Sequence, residues 1–372
     1  MSSTKAPFRY DIVGSFLRPA GLKAAREQLA AGEITKEALT QAENEAITAL
    51  IQQEKAVGLR AVTDGEFRRR WWHLDFLAGL NGISVYDFET AGFGVKKVMQ
   101  NTFVSAPLSF DSQHPFLEHF KFTQQAAGGA LVKQTIPGPN MVTLDSVVLS
   151  QQYKAAPVYP DLDALAADLT KTYQDAIQAF YSAGCRYLQL DDTSWGALFS
   201  QRFRDRIEAC GYDPDKLIDV FGDITTEALK GRPADMTITT HMCKGNFMSH
   251  WLYEGTYDKI ARRLLAIEGF DGFFLEYDDE RSGSFEPLRY LKGQRMALGL
   301  VTTKSGVLED PDRIRARIAE AARIVPLEQL CLSPQCGFSS TQEGNAIEAA
   351  SQWKKLRLIK EIAESVWDDA DA

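Results

Sequence analysis

The chain has 372 residues, of which 45% are hydrophobic and 24% charged, and its formal net charge at pH 7 is −9. This composition supports a large buried core and argues against disorder. An acidic chain without a long basic run repels phosphate groups, so we expect neither nucleic acid nor an anionic membrane as a partner.

No stretch of the sequence has the apolar length of a signal peptide or a membrane span, so we expect a cytoplasmic protein. The cysteines are five in number and widely spread: Cys185, Cys210, Cys243, Cys331 and Cys336. An odd, scattered set does not indicate a disulfide framework. Metal binding and core packing are the two interpretations that remain.

Predicted strands and helices alternate along the chain. The strands are predicted at residues 12–15, 61–64, 132–136, 187–191, 236–241, 272–276, 296–302 and 330–333. The clearest helices are predicted at residues 36–57, 162–183, 311–324 and 345–363. Repeated strand–helix units indicate a parallel sheet, and eight of them predict a closed (β/α)8 TIM barrel. A doubly wound open sheet is the alternative, but no G-x-G-x-x-G motif follows the first predicted strand.

Residues 82–129 interrupt this alternation between the second and third predicted strands. A connection of this length is uncommon unless it has structure of its own, so we predict an inserted hairpin or lid. The chain length suits one α/β barrel with insertions. We therefore predict a single catalytic barrel domain over residues 1–372 that contains this insertion.

Polar and ionisable residues gather where the predicted strands end. They are Ser15, Glu66, Asp191, Asp192, His241, Cys243, Glu276, Lys304 and Cys336. In a parallel barrel all strands end at the same face, and active sites of this fold lie there. The pattern therefore predicts one active site assembled from most of the strands.

His241 and Cys243 form the most specific local pattern. Residues i and i+2 of a strand point the same way, so this imidazole and thiol can share one metal ion. Cys336 lies on a turn between Pro334 and Gly337 and can supply a second thiolate. Two thiolates, one imidazole and one carboxylate suit Zn²⁺, whereas Mg²⁺ and Ca²⁺ prefer oxygen ligands.

Two other interpretations of these ligands stay open. A His-x-Cys pair by itself is more often ordinary packing, and four protein ligands normally mark a closed structural zinc site. The candidates span three predicted strands at the catalytic face, which favours a catalytic metal. Glu66 and Asp191 are likewise candidates either for substrate binding or for a structural role, and residues 71–73 either floor a pocket or pack.

The sequence resembles the catalytic half of cobalamin-independent methionine synthase, specifically the short single-barrel relatives that lack the N-terminal half. The matching segments cover nearly the whole chain in the family's order. They are D-I-V-G-S-F at 11–16, D-G-E at 64–66, I-P-G-P at 136–139, L-Q-L-D-D at 188–192, T-H-M-C at 240–243, L-E at 275–276 and S-P-Q-C-G at 333–337.

The resemblance implies roles for the residues at the strand ends. The zinc ligands that it implies are His241, Cys243, Glu276 and Cys336. The residues that it places on the amino-acid part of homocysteine are Ser15, Glu66 and Asp191, and we add the neighbouring Asp192. The family transfers a methyl group from methyltetrahydrofolate to homocysteine and so forms methionine.

Two departures from the family concern the methyl donor. The full-length enzyme has a tryptophan against the pterin ring after the glycine-proline turn, whereas residues 140–145 include none. It also has a histidine acid after the seventh strand, where this chain has Lys304. We therefore predict a zinc-dependent homocysteine methyltransferase whose donor is methyltetrahydrofolate or another carrier, with poor use of methylfolate polyglutamate.

Lys304 and Asp191 are the candidate catalytic residues. Lys304 could protonate the leaving group if the site lowers its pKa, or it could contact a phosphate or carboxylate of a substrate. The alternative functions are an epoxide–thiol transferase on the same scaffold, a non-catalytic zinc module and a metal-free decarboxylase relative. The expected partners are a thiol substrate and a methyl donor, and a donor protein or a homo-oligomer stays open.

Overall fold

The computed structural model describes residues 5–90 and 97–370. The strands of this part of the chain are β1 Ala61–Val62, β2 Asn81–Thr90, β3 Lys97–Ser109, β4 Leu131–Pro137, β5 Tyr187–Asp191, β6 Thr237–Met242, β7 Gly272–Glu276, β8 Arg295–Val301 and β9 Leu330–Pro334. Seven of them form a curled parallel sheet in the order β1-β4-β5-β6-β7-β8-β9, and β2 pairs antiparallel with β3.

Helices connect the strands of the parallel sheet. The α-helices are α1 Ala20–Ala30, α2 Lys36–Val57, α3 Leu74–Leu77, α4 Pro115–Ala127, α5 Pro139–Met141, α6 Gln151–Ala155, α7 Leu162–Ser182, α8 Trp195–Phe199, α9 Gln201–Ala209, α10 Pro214–Ala228, α11 Asp258–Leu264, α12 Pro311–Ala321 and α13 Ala349–Val366. A π-helix, Val142–Val148, follows α5, and 3-10 turns occupy Glu280–Ser282, Glu286–Tyr290 and Leu327–Gln329. Among these helices, none is long and apolar enough to cross a membrane.

The parallel strands lie close to where the sequence predicts them. β5 and β7 have the predicted bounds, β4, β6 and β8 differ from the prediction by one residue at each end, β9 ends one residue late, and β1 ends two residues early. Every residue of β5, β6 and β7 is buried. A sheet covered on both faces needs apolar residues at consecutive positions, and such runs are easy to recognise in a sequence.

The prediction of a first strand at residues 12–15 is wrong as secondary structure. A single bridge joins Tyr10 to Leu332 of β9. Further along, the backbone N–H of Phe16 donates to Gly65 O at 3.1 Å, just past β1. The side chain of Asp11 accepts hydrogen bonds from the N–H groups of Phe8 and Ile12, so side-chain contacts take the place of a regular ladder.

Two of the four predicted helices are closely reproduced, and two differ at their ends. α2 has the predicted bounds, with Thr35 as its N-cap and Gly58 in the left-handed region after its last turn. α7 ends one residue early. α12 has the expected Asp310 cap but ends earlier than predicted. α13 begins four residues later than predicted. Asn345 lies in the preceding loop, where its side-chain amide donates a hydrogen bond to Thr303 O at 2.9 Å.

The insertion at residues 82–129 contains the predicted hairpin, formed by β2 and β3, and also a helix, α4, that the sequence analysis did not identify. The hairpin packs against the π-helix through a buried hydrogen bond of 2.7 Å between Thr102 Oγ1 and Ser146 Oγ. This contact places the hairpin at the end of the parallel sheet where the strands terminate.

Candidate active site

Three predicted metal ligands lie together at the carboxyl ends of the strands. His241 belongs to β6, Cys243 follows that strand, and Cys336 follows β9. The ligand atoms of these three residues lie within 4.8 Å of one another, and all three residues are buried. The sheet therefore joins residues that are almost a hundred positions apart.

The imidazole of His241 has the orientation of a metal ligand. Its Nδ1 lies 3.1 Å from the carbonyl oxygen of Phe274 and donates to it. Its Nε2 is buried and, within the described chain, has no nitrogen or oxygen partner. A histidine that gives one ring N–H to a carbonyl and leaves the other nitrogen unpaired is typical of metal sites.

The thiols of Cys243 and Cys336 lie within 4.8 Å of each other and affect each other's ionisation. The interaction with Cys243 lowers the pKa of Cys336 well below its usual value, and the interaction with Cys336 raises the pKa of Cys243 well above its own. A second thiolate therefore requires nearby positive charge. Cys331 differs, since burial raises its pKa to about 12 and its thiol faces Pro7, as the packing interpretation expects.

Glu276, the predicted fourth ligand, is not part of this three-residue cluster. It ends β7, is fully buried, and accepts hydrogen bonds from the backbone N–H of Lys244 at 3.0 Å and from Arg281 at 3.1 Å. The ammonium of Lys304 also donates to it at 3.1 Å. The carboxylate is thus compensated by two side-chain cations next to the cluster, and its role as a ligand stays a prediction.

Lys304 does not occupy the environment expected of an acid. Burial lowers its pKa, but Glu276 and Asp278 outweigh burial, and the net effect is a raised pKa. The ammonium contacts both carboxylates, at 3.1 and 3.3 Å. Lys304 therefore forms ion pairs with these two carboxylates, and its role as an acid stays a prediction.

Ser15 lies against the loop that carries Cys336. Its Oγ accepts a hydrogen bond from the N–H of Ser339 at 3.3 Å. A Cβ at Gly337 would lie 1.9 Å from the same oxygen, so only glycine allows this approach. The predicted acceptor-binding hydroxyl and the predicted metal ligand are thus held together.

Glu66 stands on a strained turn after β1, with a φ of 60°. Its Oε1 accepts from Thr135 Oγ1 at 3.0 Å and lies 3.3 Å from the guanidinium of Arg69. Its Oε2 is buried, and no partner for it exists in the described residues. Burial raises the pKa of Glu66, although the nearby arginines act in the opposite direction. A raised pKa is common for a carboxylate at a binding site.

Asp191 and Asp192 follow one another at the end of β5 but have different surroundings. Asp191 accepts a hydrogen bond from Gln189 at 2.8 Å, and burial raises its pKa to about 7. Both carboxylate oxygens of Asp192 accept hydrogen bonds, one from Ser194 and the other from Asn140. Asp192 is not among the described residues that line the cavity. Asp191 is therefore available to a ligand, whereas Asp192 fixes its own loop.

Arg18, which the sequence analysis did not single out, connects the loops of the site. Its buried guanidinium donates to the carbonyl oxygens of Phe16 at 3.2 Å and Glu66 at 2.7 Å. It also donates to the carbonyl oxygen of Ser339 in the Cys336 loop. Burial lowers the pKa of Arg18 to about 10. Nothing in the local sequence distinguishes this arginine from a surface residue.

A cavity of about 450 Å³ opens above the cluster. The expected residues at its inner end are Ser15, Glu66, Asp191, His241, Cys243 and Cys336. The aromatic residues along its walls are Trp71, Trp72, Tyr86, Phe88, Phe203, Phe247 and Tyr253. Trp71 stacks on Phe247 with ring centroids 5.6 Å apart, so residues 71–73 line a pocket as one of the two interpretations proposed.

The cavity also has charged lining residues that the sequence analysis missed. Asp145 projects from the π-helix, and Arg202 and Arg206 project from α9. Their sequence contexts are an apolar helix and an ordinary amphipathic helix, which carry no recognisable signal. Lys304 and Glu276 are absent from the described lining of the cavity.

A curled parallel α/β sheet with a buried His/Cys/Cys cluster beneath a cavity defines a candidate metalloenzyme of the α/β class. A family model described as the catalytic domain of cobalamin-independent synthase matches residues 9–364. The chain therefore belongs to the cobalamin-independent methionine synthase family, as its sequence motifs indicate, and it is a methyltransferase of that family.

Similar proteins support the assignment over the whole chain. Uncharacterized protein YxjG of Bacillus subtilis is 47% identical, with 98% of this chain and 96% of that protein covered. A solved structure from Listeria monocytogenes, described as a candidate vitamin-B12 independent methionine synthase, is 40% identical with a TM-score of 0.76 and coverage of 97% and 98%. A B12-independent methionine synthase from Shewanella sp. W3-18-1, in complex with selenomethionine, shares the fold at 17% identity, with a TM-score of 0.70 and coverage of 96% and 97%.

Proposed function

We propose that the protein is a zinc-dependent methyltransferase that transfers a methyl group to the thiol of homocysteine and forms methionine. The observation that carries the proposal is the position of the His241, Cys243 and Cys336 cluster. It lies at the inner end of the same cavity as two buried carboxylates, Glu66 and Asp191.

The donor set suits zinc. A buried His241 Nε2 without a nitrogen or oxygen partner in the described chain, with two cysteine sulfurs in the same cluster, is the donor set of an imidazole–dithiolate site. We keep Glu276 as the predicted fourth ligand. When bound, zinc lowers the pKa of a coordinated thiol, so that a substrate thiolate is available at neutral pH.

The side chains around the cluster would bind the amino-acid part of homocysteine. Asp191 and the unpaired oxygen of Glu66 would receive the ammonium, and the Ser15 hydroxyl would reach the carboxylate. Both carboxylates are buried, so an ammonium ion would stabilise their charged forms. Such positioning accelerates a two-substrate reaction by holding the sulfur in one place.

The same geometry separates this proposal from its alternatives. An epoxide–thiol transferase whose thiol lacks an α-ammonium would have no use for two buried carboxylates at this distance from a metal. A structural zinc site would be closed, whereas here the cavity reaches all three ligands.

We further propose three features of the whole chain. Residues 9–16 complete the curled sheet as the eighth element of a barrel, and residues 1–372 form one domain with 82–129 as its insertion. The protein acts in the cytoplasm, where its five free cysteines stay reduced. The supporting observation for the barrel is the hydrogen bonding of residues 9–16 to both β9 and the turn after β1.

Methionine formation by purified protein tests the function. Homocysteine is supplied with methyltetrahydrofolate, a methylcorrinoid or a methylsulfonium compound in parallel. We expect turnover with at least one donor, and loss of turnover after zinc removal while circular dichroism still shows a folded protein. X-ray absorption at the zinc edge should gain one sulfur neighbour at about 2.3 Å when homocysteine is added. An unchanged zinc environment together with absent turnover would contradict the proposal.

A further inference from the structure

Asp145 is a cavity-lining carboxylate. It lies on the π-helix, in the stretch where the resemblance places an aromatic residue. Within residues 5–90 and 97–370 it accepts no hydrogen bond and forms no ion pair. Burial raises its pKa to about 7, although Arg206 acts in the opposite direction. Asp145 is partly exposed and lines the cavity, so its carboxylate, which has no partner among the described residues, is open to a ligand there.

Two tyrosines, Tyr86 on β2 and Tyr253 after β6, line the cavity together with this carboxylate. Burial raises the pKa of both phenols, and the charge of Asp145 adds to both shifts. Cys243 lines the same cavity and raises the pKa of Tyr253 as well, so the charges of both Asp145 and Cys243 reach this phenol. A carboxylate among aromatic rings is suited to a cation or to an N–H group on a flat ring.

Two arginines line the same cavity farther out. Arg202 and Arg206 are one turn apart on α9, and both guanidinium carbons lie 5.0 Å from the ring centroid of Phe203 between them. Arg202 donates to Leu252 O at 3.4 Å, and Arg206 has no ion pair with any described residue. Two guanidinium groups fixed on one ring at a cavity rim form a site for a carboxylate.

We propose that Asp145, Arg202 and Arg206 form the donor subsite, which takes a methyl donor with a cationic or N–H-bearing head and a carboxylate tail. Asp145 binds the head close to the cluster, and the arginines bind the tail at the rim. This inference rests on the proposed function, because it gives the outer cavity to the second substrate. At this position the carboxylate of Asp145 would bind the donor by charge, where the resemblance places an aromatic ring that stacks on it.

Two donor types share this chemistry, a methylated pterin with a glutamate tail and a methylsulfonium carboxylate. Each has a partner without the tail for comparison: methyltetrahydrofolate monoglutamate against methyltetrahydropterin, and dimethylsulfoniopropionate against trimethylsulfonium. Binding is measured without turnover, by quenching of tryptophan fluorescence in the zinc-loaded protein, since Trp71 and Trp72 line the cavity. The pair that binds identifies the donor type.

The parent protein should bind the tailed member of one pair about tenfold more tightly than its tailless partner, as two partly exposed charged contacts allow. The double variant Arg202→Gln/Arg206→Gln should abolish this difference and leave the tailless compound unaffected. Asp145→Asn should weaken both members of the pair about tenfold. Glu208→Gln, on the exposed face of the same helix, serves as the matched control and should bind like the parent.

Equal affinity for tailed and tailless compounds in the parent, or no measurable binding of any tailed compound at millimolar concentration, overturns the proposal. So does unchanged binding of both members by Asp145→Asn. Zinc content and the homocysteine response at the zinc edge are recorded for each variant. A protein that follows the binding pattern but forms no methionine would retain the subsite and refute the proposed function, so the two failures are distinguishable.

Discussion

Substitution of Arg18 by methionine should damage the acceptor site as well as the fold. Methionine fills a similar volume but donates no hydrogen bond, so the carbonyl oxygens of Phe16 and Ser339 lose their donor, and that of Glu66 keeps only the backbone N–H of Arg69 at 2.9 Å. Each buried carbonyl left unpaired costs about 1–3 kcal/mol, and removal of a buried charge offsets part of that sum. We expect a net loss of about 3–5 kcal/mol, the range found when one partner of a buried ionic network is removed.

Arg26→Met is the matched control. Arg26 donates to Phe67 O and, at 3.2 Å, to Arg69 O, so it supports the turn of Glu66 without contacting the other two loops. Thermal unfolding should show a lower Tm for both variants. Isothermal titration with homocysteine should show weakened binding only for Arg18→Met, about tenfold or more if both carboxylate and hydroxyl contacts are displaced. Parent-like homocysteine affinity and zinc content in a destabilised Arg18→Met would refute the reasoning.

Three further predictions follow from single contacts. Elemental analysis should find about one zinc per chain in the parent and in Cys331→Ser but little in Cys336→Ser, and the reverse pattern would overturn the ligand assignment. Asp191→Asn should weaken homocysteine binding by roughly tenfold, from loss of a charged hydrogen bond, while zinc content stays the same; equal affinity would assign Asp191 to the fold. Burial raises the pKa of Glu54 in the folded protein well above its usual value. Glu54 therefore favours the folded state most at low pH, and this contribution to the free energy of unfolding is lost as the pH rises from the unfolded pKa towards the folded pKa. Tm measured from pH 5 to 8 should therefore fall less in Glu54→Gln than in the parent, and parallel curves would contradict this assignment.

The sequence was sufficient to predict seven parallel strands and the proximity of His241, Cys243 and Cys336. Buried parallel strands are continuous apolar runs, so β5 and β7 could be located to the residue. The His-x-Cys spacing at the end of β6 indicates two side chains on one side of the chain, and the order of motifs identified the family. The failure at residues 12–15 has a local cause, because hydrogen bonds to the Asp11 side chain cannot be read from apolar periodicity.

Residues that act through tertiary contacts could not be predicted. The role of Arg18 depends on the carbonyl groups that surround it, and that of Asp145 on its place in the cavity lining without a hydrogen bond or ion pair to the described residues. Neither property exists before the chain folds. Lys304 shows the same limit, since its pKa direction depends on Glu276 and Asp278, which other parts of the fold bring to it. Sequence patterns predicted where polar residues gather, while their ionisation followed from neighbours distant in the chain.

The separation of the cluster residues along the chain affects how a cell would supply the metal. Cys336 is made only after β1 to β8 have been synthesised, so the complete ligand set does not exist on the growing polypeptide. A metal held there must enter after the sheet has assembled, through the cavity that also admits substrates. In contrast to a small zinc domain, the newly made protein would reach its folded form first and acquire zinc afterwards. During zinc shortage it would persist as an intact reserve that regains activity when the ion returns.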